Sequence, residues 1–214
     1  MADTTILGTN LAFADILKSA DGFQIVDKFG IQVPAGFSKA PSPSHIAVTS
    51  ILPTCNEAAA ANSSGYFDGR LLLSLVYQET LPKFNPRSNC ASSSTKIARG
   101  MGQFLYTTGK QEVRPPIVDF YNPADSIFAI AYYLRVCYES YKKKSPTSPP
   151  SALLAYACMG YNGGPGTSIA THEAGKYNMV GGKKTGESTK SYAQKINKHY
   201  AGFSGNGFGP MKFK

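Results

Sequence analysis

The stretch LLLSLVYQETLP, residues 71–82, has the spacing of an amphipathic helix that ends in a carboxylate. One helix face carries the i, i+3, i+4 and i+7 positions, which are Leu72, Leu75, Val76 and Glu79, and the final proline predicts the helix end. On an apolar face at a helix C-terminus, burial and the helix dipole both disfavour a negative charge. We therefore expect a raised pKa for Glu79, as a general acid requires; a solvated glutamate at a frayed helix end is the alternative.

Helical spacing recurs through residues 67–204. The pair Asn122-Pro123 predicts a helix start, and the apolar positions that follow it keep the helical period: Ile127, Ile130, Ala131, Leu134, Cys137 and Tyr141. A short apolar helix is predicted over 152–159, ended by the glycine that follows, and a last helix over 188–200. No hairpin and no internal repeat is evident, so the chain is predicted to be mainly α.

Charge divides the 214-residue chain, whose 22 Lys+Arg and 13 Asp+Glu give a net charge of +9. Residues 1–66 carry three bases and five acids, whereas residues 67–204 carry 17 bases and eight acids. This shift predicts a boundary near residue 66. We expect residues 1–66 to form an irregular arm with one helix at 10–19 and a turn-rich, proline-containing stretch up to Pro53. Residues 205–214 are expected to be a Gly-rich tail.

The cysteines and histidines give no sign of a metal site. Four cysteines lack CxxC spacing and three histidines are scattered, so neither a metal nor another cofactor is expected. Cys137 and Cys158 lie on apolar helix faces and are expected to pack as small hydrophobic groups, while a Cys55–Cys90 disulfide is left open. No apolar run is long enough to span a membrane, and the N-terminus lacks the pattern of a secretory signal peptide.

Three further segments carry residues suited to binding or catalysis. Gly100-Met101-Gly102-Gln103 combines close backbone approach with an amide side chain, but many turns have this composition. A Tyr-Asn pair at 161–162 precedes a glycine-rich turn, where an ordinary helix C-cap is the simpler interpretation. A glutamate at 187 opens the predicted last helix, where a solvated acid is typical.

Taken in order, these segments resemble the soluble lytic transglycosylases, whose catalytic domain is lysozyme-like and related to goose-type lysozyme. The matching segments are Glu79-Thr80, Phe84-Asn85-Pro86, Gly100-Met101-Gly102-Gln103, Asn122-Pro123 with Tyr133-Leu134, Gly160-Tyr161-Asn162-Gly163-Gly164, and Glu187-Ser188 with Tyr192-Ala193. The resemblance covers residues 67–201. Thr80 stands where the family usually has Ser, and Gly102 where it usually has Met.

The resemblance implies a role for each matching site residue. Glu79 would act first as acid and then as base. The residues implied in substrate binding are Thr80, Gly100, Met101, Gln103, Tyr161, Asn162 and Glu187. Among them, Gln103 and the backbone of 100–102 would hold the sugar near the cleavage point. Tyr161 and Asn162 would contact substrate or orient Glu79, and Glu187 would anchor the group by hydrogen bonding.

The distribution of acids favours chemistry with one carboxylate. Glycosidases normally use two, but residues 80–111 contain no Asp or Glu, and the next acids are Glu112 and Asp119. In the family, the one-carboxylate reaction cleaves the bond between N-acetylmuramic acid and N-acetylglucosamine without water and leaves a 1,6-anhydro end. A goose-type hydrolytic lysozyme, with water positioned by Asp119 or by no carboxylate, is the alternative enzyme. A structural virion protein that retains a lysozyme-like fold is the alternative of another class.

The expected partners follow from this function. Peptidoglycan glycan strands are the expected substrate. Nucleic acid is not expected, because the bases are scattered apart from Lys142–Lys144. Without a recognisable signal peptide, we expect a phage virion or tail protein that acts in the host periplasm or cell wall. Residues 1–66 would then contact other virion or tail proteins.

Overall fold

The computed structural model describes residues 23–26, 32–34, 48–80, 98–105, 107–117, 120, 122–175, 177–180 and 183–204. Within these ranges the helices are α1 (Val48–Asn62), α2 (Gly69–Thr80), a π-helical turn (Thr108–Glu112), α3 (Pro123–Lys144), α4 (Pro150–Gly163), α5 (Ile169–Glu173) and α6 (Thr189–Ser204). The strands are β1 (Phe23–Val26), β2 (Gln32–Pro34), β3 (Tyr177–Val180) and β4 (Lys183–Ser188). The prediction of a mainly helical chain is confirmed.

The expectation that the chain has no hairpins is wrong. Strand β1 pairs antiparallel with β2, and β3 pairs antiparallel with β4, from Tyr177 opposite Ser188 to Val180 opposite Lys183. The β4 segment, KKTGES, contains no apolar residue. The period-2 alternation that marks a half-buried strand is therefore missing from its sequence.

Helix α2 is capped by a side chain at its start and ends at Thr80, before the proline that predicts its end. The Asp68 carboxylate accepts hydrogen bonds from the backbone N–H groups of Arg70 (3.0 Å) and Leu71 (3.1 Å), which satisfies two free donors at the helix start. Leu72 and Leu75 are completely buried, so the apolar face lies in the core. The capped start and the buried face fix the position of this helix, and with it the last turn, which contains Glu79.

Helix α1 lies in the segment that was expected to be irregular, and the turn predicted around Pro53 is wrong. Pro53 lies inside the helix, although proline removes a backbone donor. Ile51, Cys55 and Ala58 are fully buried in the same core cluster as the leucines of α2. Their burial offsets the lost hydrogen bond. The boundary predicted near residue 66 falls in the loop after this helix, and buried contacts cross it.

Helix α3 starts at the predicted Asn122-Pro123 pair. The side-chain oxygen of Asn122 accepts from the backbone N–H groups of Ala124 (2.9 Å) and Asp125 (3.3 Å), and the proline occupies the first helical position. All six predicted apolar positions are fully buried: Ile127, Ile130, Ala131, Leu134, Cys137 and Tyr141. The prediction for this helix is confirmed.

Helix α4 extends further than its sequence suggested. It ends at Gly163 rather than before Gly160, and Gly164 caps it with a φ of 89°. Gly160 serves packing, because a Cβ atom there would lie 2.6 Å from the ring of Tyr141 on α3. The two residues that follow Gly160 therefore stand in the last helical turn instead of in a loop.

Helix α6 closes the domain against α2 and α4. It begins one residue later and ends four residues later than predicted, and the Ser188 hydroxyl accepts from the Ser191 backbone N–H at 3.1 Å. Tyr192 and Ile196 are buried, as their helical spacing indicated. Glu187, expected at the start of this helix, lies in β4 instead.

The described cysteines are buried free thiols. Cys137 and Cys158 pack in the core as expected, and Cys55 is also free and fully buried. Burial raises the pKa of all three thiols well above the usual value, which keeps them protonated and unreactive. Cys90, the other member of the disulfide left open by the sequence, lies outside the described residues.

Several other predictions also fall outside the described part of the chain, namely the helix at 10–19, the matching segment 84–86, Asp119 and the tail 205–214. Among the described helices, none combines the length and apolar character needed to cross a membrane.

Candidate active site

Glu79 lies half-buried in the last turn of α2, where its side chain meets α6. The hydroxyl of Tyr192 donates a hydrogen bond to Glu79 Oε1. Only 2% of Tyr192 is exposed, and burial raises the pKa of its hydroxyl, with the charge of Glu79 raising it further. Tyr192 therefore stays protonated and can keep one oxygen of the Glu79 carboxyl group in place.

Tyr161, in the last turn of α4, connects the surroundings of Glu79 with a second segment. Burial raises its pKa well above the usual value, and the nearby negative charge of Glu79 is the next cause. The Tyr161 hydroxyl donates to the carbonyl oxygen of Gly102 at 2.7 Å. The structure thus brings together three predicted site segments: the end of α2, the end of α4 and the Gly100–Gln103 turn.

The Gly100–Gln103 turn is closed by paired backbone hydrogen bonds. The N–H of Arg99 donates to the carbonyl of Phe104, and the N–H of Phe104 donates back to Arg99, both at 2.9 Å. Gly100 has a φ of 72°, and a Cβ atom there would lie 1.9 Å from the Phe120 carbonyl oxygen. The side-chain amide of Gln103 donates to the Gly100 carbonyl at 2.8 Å. Because of its positive φ and this clash, position 100 of the turn accepts only glycine.

The structure shows what surrounds positions 101 and 102 of this turn. Met101, a predicted substrate contact, is completely buried and belongs to the core. At Gly102, where the resembling family usually has Met, a Cβ atom would lie 2.4 Å from the ring of Phe104 and 2.9 Å from Ile130. Phe104 therefore occupies the space that a side chain at position 102 would need.

Two other predicted site residues are placed differently from the rest. Thr80 is 2% exposed, and its hydroxyl donates to the Val76 carbonyl at 2.7 Å, so its proton is used within the helix. Glu187 is in β4, and its side chain lies outside the described part of the chain. Its predicted anchoring role stays a prediction.

A cleft of about 530 Å³ runs beside the Gly100–Gln103 turn. It is lined by Gly102, Gln103, Phe104, Leu105, Thr108, Glu112, Tyr133, Tyr161, Asn162, Gly163, Gly164, Pro165 and Gly166. Phe104, Tyr133 and Tyr161 pack edge to face or tilted, with ring centroids 5.7–5.9 Å apart. The cleft thus combines a packed aromatic base with polar side chains, a combination typical of ligand sites.

The family model described as "Transglycosylase SLT domain" matches residues 56–184, more than half of the chain. The chain belongs to the transglycosylase SLT domain family. It is accordingly an enzyme of the lytic transglycosylase type, with a lysozyme-like fold, that acts on the peptidoglycan of the cell wall. Comparisons with curated proteins and with solved structures found no match.

The matched SLT domain begins inside α1, which agrees with the burial of that helix in the core. It includes Glu79, the Gly100–Gln103 turn and the whole lining of the cleft.

The SLT domain holds a further carboxylate at the cleft. Glu112 ends the π-helical turn and lines the cleft, where its Oε2 accepts from the Tyr133 hydroxyl at 3.2 Å. It is the first acid after the 32-residue stretch without Asp or Glu, and the sequence pattern predicts no role for it. The fold brings it to the cleft, where it meets Tyr133 on α3.

One side of the SLT cleft is a glycine-rich wall, residues 163–166, and helix α3 holds it in place. Ser140 donates to the Pro165 carbonyl at 3.0 Å, and the Tyr141 hydroxyl lies 3.1 Å from the Thr167 carbonyl. The fully buried ring of His172 joins this network, with Nε2 2.6 Å from the Tyr141 hydroxyl and Nδ1 2.9 Å from the Thr189 hydroxyl. The wall is thereby tied to α3, α5 and α6.

Sequence reasoning missed the role of Tyr192 and the pair Glu112–Tyr133. A signal was present for Tyr192, because a phenol on a buried helix face needs a hydrogen-bond partner. Nothing in the sequence pointed to Glu112. Within the described residues, no group of three or more His, Cys, Asp or Glu side chains is arranged to hold a metal ion.

Proposed function

We propose that Glu79 is the one acid–base catalyst of this SLT domain, cleaving the β-1,4 bond between N-acetylmuramic acid and N-acetylglucosamine. The observation that carries the proposal is the hydrogen bond from Tyr192 to Glu79 Oε1, beside the cleft residue Tyr161. A carboxyl group held by one oxygen in a half-buried position is suited to general acid catalysis.

In the first step, protonated Glu79 donates its proton to the glycosidic oxygen. The bond between that oxygen and the anomeric carbon of the muramic sugar breaks, and the N-acetylglucosamine fragment leaves with a new hydroxyl group. Tyr192 donates to Oε1, so the acidic proton of the carboxyl group is carried by Oε2. The acetamido group of the substrate assists at the anomeric carbon.

In the second step, the Glu79 carboxylate takes the proton of the muramic 6-hydroxyl. The 6-oxygen bonds to the anomeric carbon and closes the 1,6-anhydro ring. Glu79 is then protonated again. One C–O bond has broken and one has formed, and no water is consumed.

Residues that line the cleft would hold the glycan strand for these steps. Gln103 and Asn162 offer amide groups, and Tyr161 contributes an aromatic surface between them and Glu79. Leu105 adds an apolar side chain that is 42% exposed, against which the less polar face of a sugar ring can pack. We retain Glu187 as a proposed anchor and the backbone of 100–102 as a proposed contact with the sugar, made through Gly102, which lines the cleft.

Replacement of the acid tests the catalytic assignment. We expect Glu79→Gln to abolish muropeptide release from purified sacculi while leaving the folded structure intact, because glutamine keeps the shape but cannot donate the acidic proton. Glu57→Gln, an exposed change on α1, is the matched control and should release products like the wild type. Release by Glu79→Gln at the wild-type rate would exclude Glu79 as the acid.

A goose-type hydrolytic lysozyme is the second candidate, and the observation that favours it is Glu112 in the cleft. A hydrolase could use a second carboxylate to activate water. Mass spectrometry of the products separates the two functions. We expect 1,6-anhydro ends, which are lighter by one water than hydrolysis products, whereas reducing ends alone would establish the hydrolase.

We further propose, from the sequence, that the protein acts from a phage virion or tail and that its N-terminal residues dock to other virion proteins. The support is the charge difference between residues 1–66 and the basic SLT part. Since α1 packs in the core, the docking segment would precede residue 48. Detection of the protein in purified particles tests this placement, and activity on sacculi tests the alternative of a purely structural virion protein.

A further inference from the structure

The pair Glu112–Tyr133 forms a polar centre in the cleft that the proposed chemistry does not use. Glu112 is exposed at the end of the π-helical turn, and the hydrogen bond to Oε2 comes from Tyr133 at 3.2 Å. Tyr133 is 5% exposed and is held by edge-to-face contacts with Phe104 and Tyr161. A mobile surface carboxylate is thereby given a fixed partner at the cleft wall.

Tyr133 is suited to donate a hydrogen bond to this carboxylate. Burial raises the pKa of the Tyr133 hydroxyl well above its usual value, and the nearby Glu112 carboxylate is a further cause. The hydroxyl therefore stays protonated and donates to Oε2. The other oxygen, Oε1, is left to accept a hydrogen bond from a ligand in the cleft.

Among the residues that the structure describes, no opposite charge pairs with Glu112. Among the described residues that line the cleft, it is the one with a charged side chain. The cation two residues earlier, Lys110, lies over the ring of Phe120, 5.7 Å from its centroid, and donates to the Ile117 carbonyl.

A bound glycan strand would cover this carboxylate and remove water from it. Desolvation of a charge is costly unless an opposite charge or strong donors replace the water. The neutral amide N–H groups of a sugar could donate equally well to the neutral acceptors of the cleft, such as the Gln103 side chain. The full negative charge of Glu112 instead complements a cation.

We propose that Glu112, held by Tyr133, binds a protonated amine of the wall polymer and so determines which strands the enzyme prefers. This inference rests on the proposed function in that it takes peptidoglycan as the ligand in the cleft. Two sources of such an amine exist in the polymer: the side chain of a diamino acid in a stem peptide and a glucosamine that lacks its acetyl group. The experiments below separate them.

Binding is measured in the inactive Glu79→Gln background, by cosedimentation with purified sacculi. Adding Glu112→Gln should weaken binding about threefold to tenfold, as expected for loss of a partly exposed charge-assisted hydrogen bond. Adding Glu57→Gln, which removes the same charge from α1, should leave binding unchanged. The difference between the two variants should shrink in high salt, because mobile ions screen the pair.

Acetylation of the sacculi with acetic anhydride tests the nature of the ligand group. Blocking the amines should remove the difference between the Glu112→Gln and Glu57→Gln variants. If the difference is also lost on glycan strands stripped of peptides, the amine belongs to the stem peptide. If it persists on stripped strands, the amine belongs to the sugar.

Equal binding by the Glu112→Gln and Glu57→Gln variants would overturn the inference, and so would a difference that survives acetylation. With Glu79 intact, Glu112→Gln should raise KM and leave kcat and the mass of the product unchanged. A loss of kcat together with reducing-end products would instead make Glu112 the second carboxylate of a hydrolase. Failure of the proposed function is a separate result, because it appears as absence of muropeptide release from the wild type.

Discussion

The hydroxyl of Tyr192 holds one oxygen of the Glu79 carboxyl group. In the proposed mechanism, a donor on Oε1 favours placing the acidic proton on Oε2, so Oε2 would be the oxygen that meets the substrate. Tyr192 is suited to this role because it is buried and because its raised pKa keeps it protonated. We propose it as a positioning residue that acts through Glu79.

Removal of this hydroxyl should slow catalysis. We expect Tyr192→Phe to lower kcat on soluble glycan strands about tenfold to hundredfold, because a hydrogen bond to an ionisable group contributes about 1.5–3 kcal/mol. KM should change little, since the residue does not line the cleft. Steady-state kinetics with product quantification measures both parameters.

The matched control is Tyr200→Phe, which removes a phenolic hydroxyl group from the same helix. Tyr200 donates to Asp68 at 3.2 Å, away from the cleft. A kcat for Tyr192→Phe equal to that of the control would show that the contact with Glu79 is only structural.

The sequence alone identified Glu79 as a candidate site residue but not its partner Tyr192 or the cleft residue Glu112. Glu79 could be found because an acid on an apolar helix face is unusual within one local stretch. Its partner stands 113 residues further along the chain, and no local pattern connects them. Glu112 follows the 32-residue stretch without acids, and the fold brings it to the cleft. Spatial proximity between remote segments is the information that a single sequence lacks.

Helix boundaries depend on local chemistry where caps decide them and on packing elsewhere. The start of α3 was predictable, because asparagine and proline satisfy its first turn without help from other elements. The end of α4 was not, because Gly160 resembles a helix stop and instead makes room for Tyr141. Strand β4 lacks any apolar alternation from which to infer it, and β3 has only four residues.

The cap of α3 should make a measurable contribution to stability. We expect Asn122→Ala to lower the free energy of unfolding by about 1 kcal/mol, because two backbone donors lose their acceptor. Asn122→Asp, which keeps an acceptor oxygen, should stay close to the wild type. Urea unfolding followed by circular dichroism measures both, and an unchanged midpoint for Asn122→Ala would show that water replaces the cap without loss.

The extent of the folded unit is a property of the whole molecule, and the structure indicates that it begins earlier than the charge pattern suggested. Charge is carried by surface side chains and does not report on the core. Helix α1 is almost free of charge, yet Ile51, Cys55 and Ala58 fill part of the core beside α2. The Pro-rich composition around Pro53 concealed a helix that tertiary packing stabilises.

Two truncations test this boundary. A chain that starts at residue 48 should unfold cooperatively, whereas one that starts at residue 67 should lose more than about 3 kcal/mol of stability or fail to fold, because it lacks the buried side chains of α1. Thermal unfolding by calorimetry distinguishes the two. Equal stability of both chains would support the boundary near residue 66.

The buried imidazole of His172 has a consequence for how the cleft meets its ligand. Its Nε2 lies 2.6 Å from the Tyr141 hydroxyl and its Nδ1 lies 2.9 Å from the Thr189 hydroxyl, so the ring connects α3 with α6. The Tyr141 hydroxyl in turn lies 3.1 Å from the Thr167 carbonyl oxygen and 3.4 Å from the Gly164 carbonyl oxygen. A segment that is held from behind at several points loses little conformational entropy when a glycan strand binds. A glycine-rich segment thus behaves as a preorganised surface.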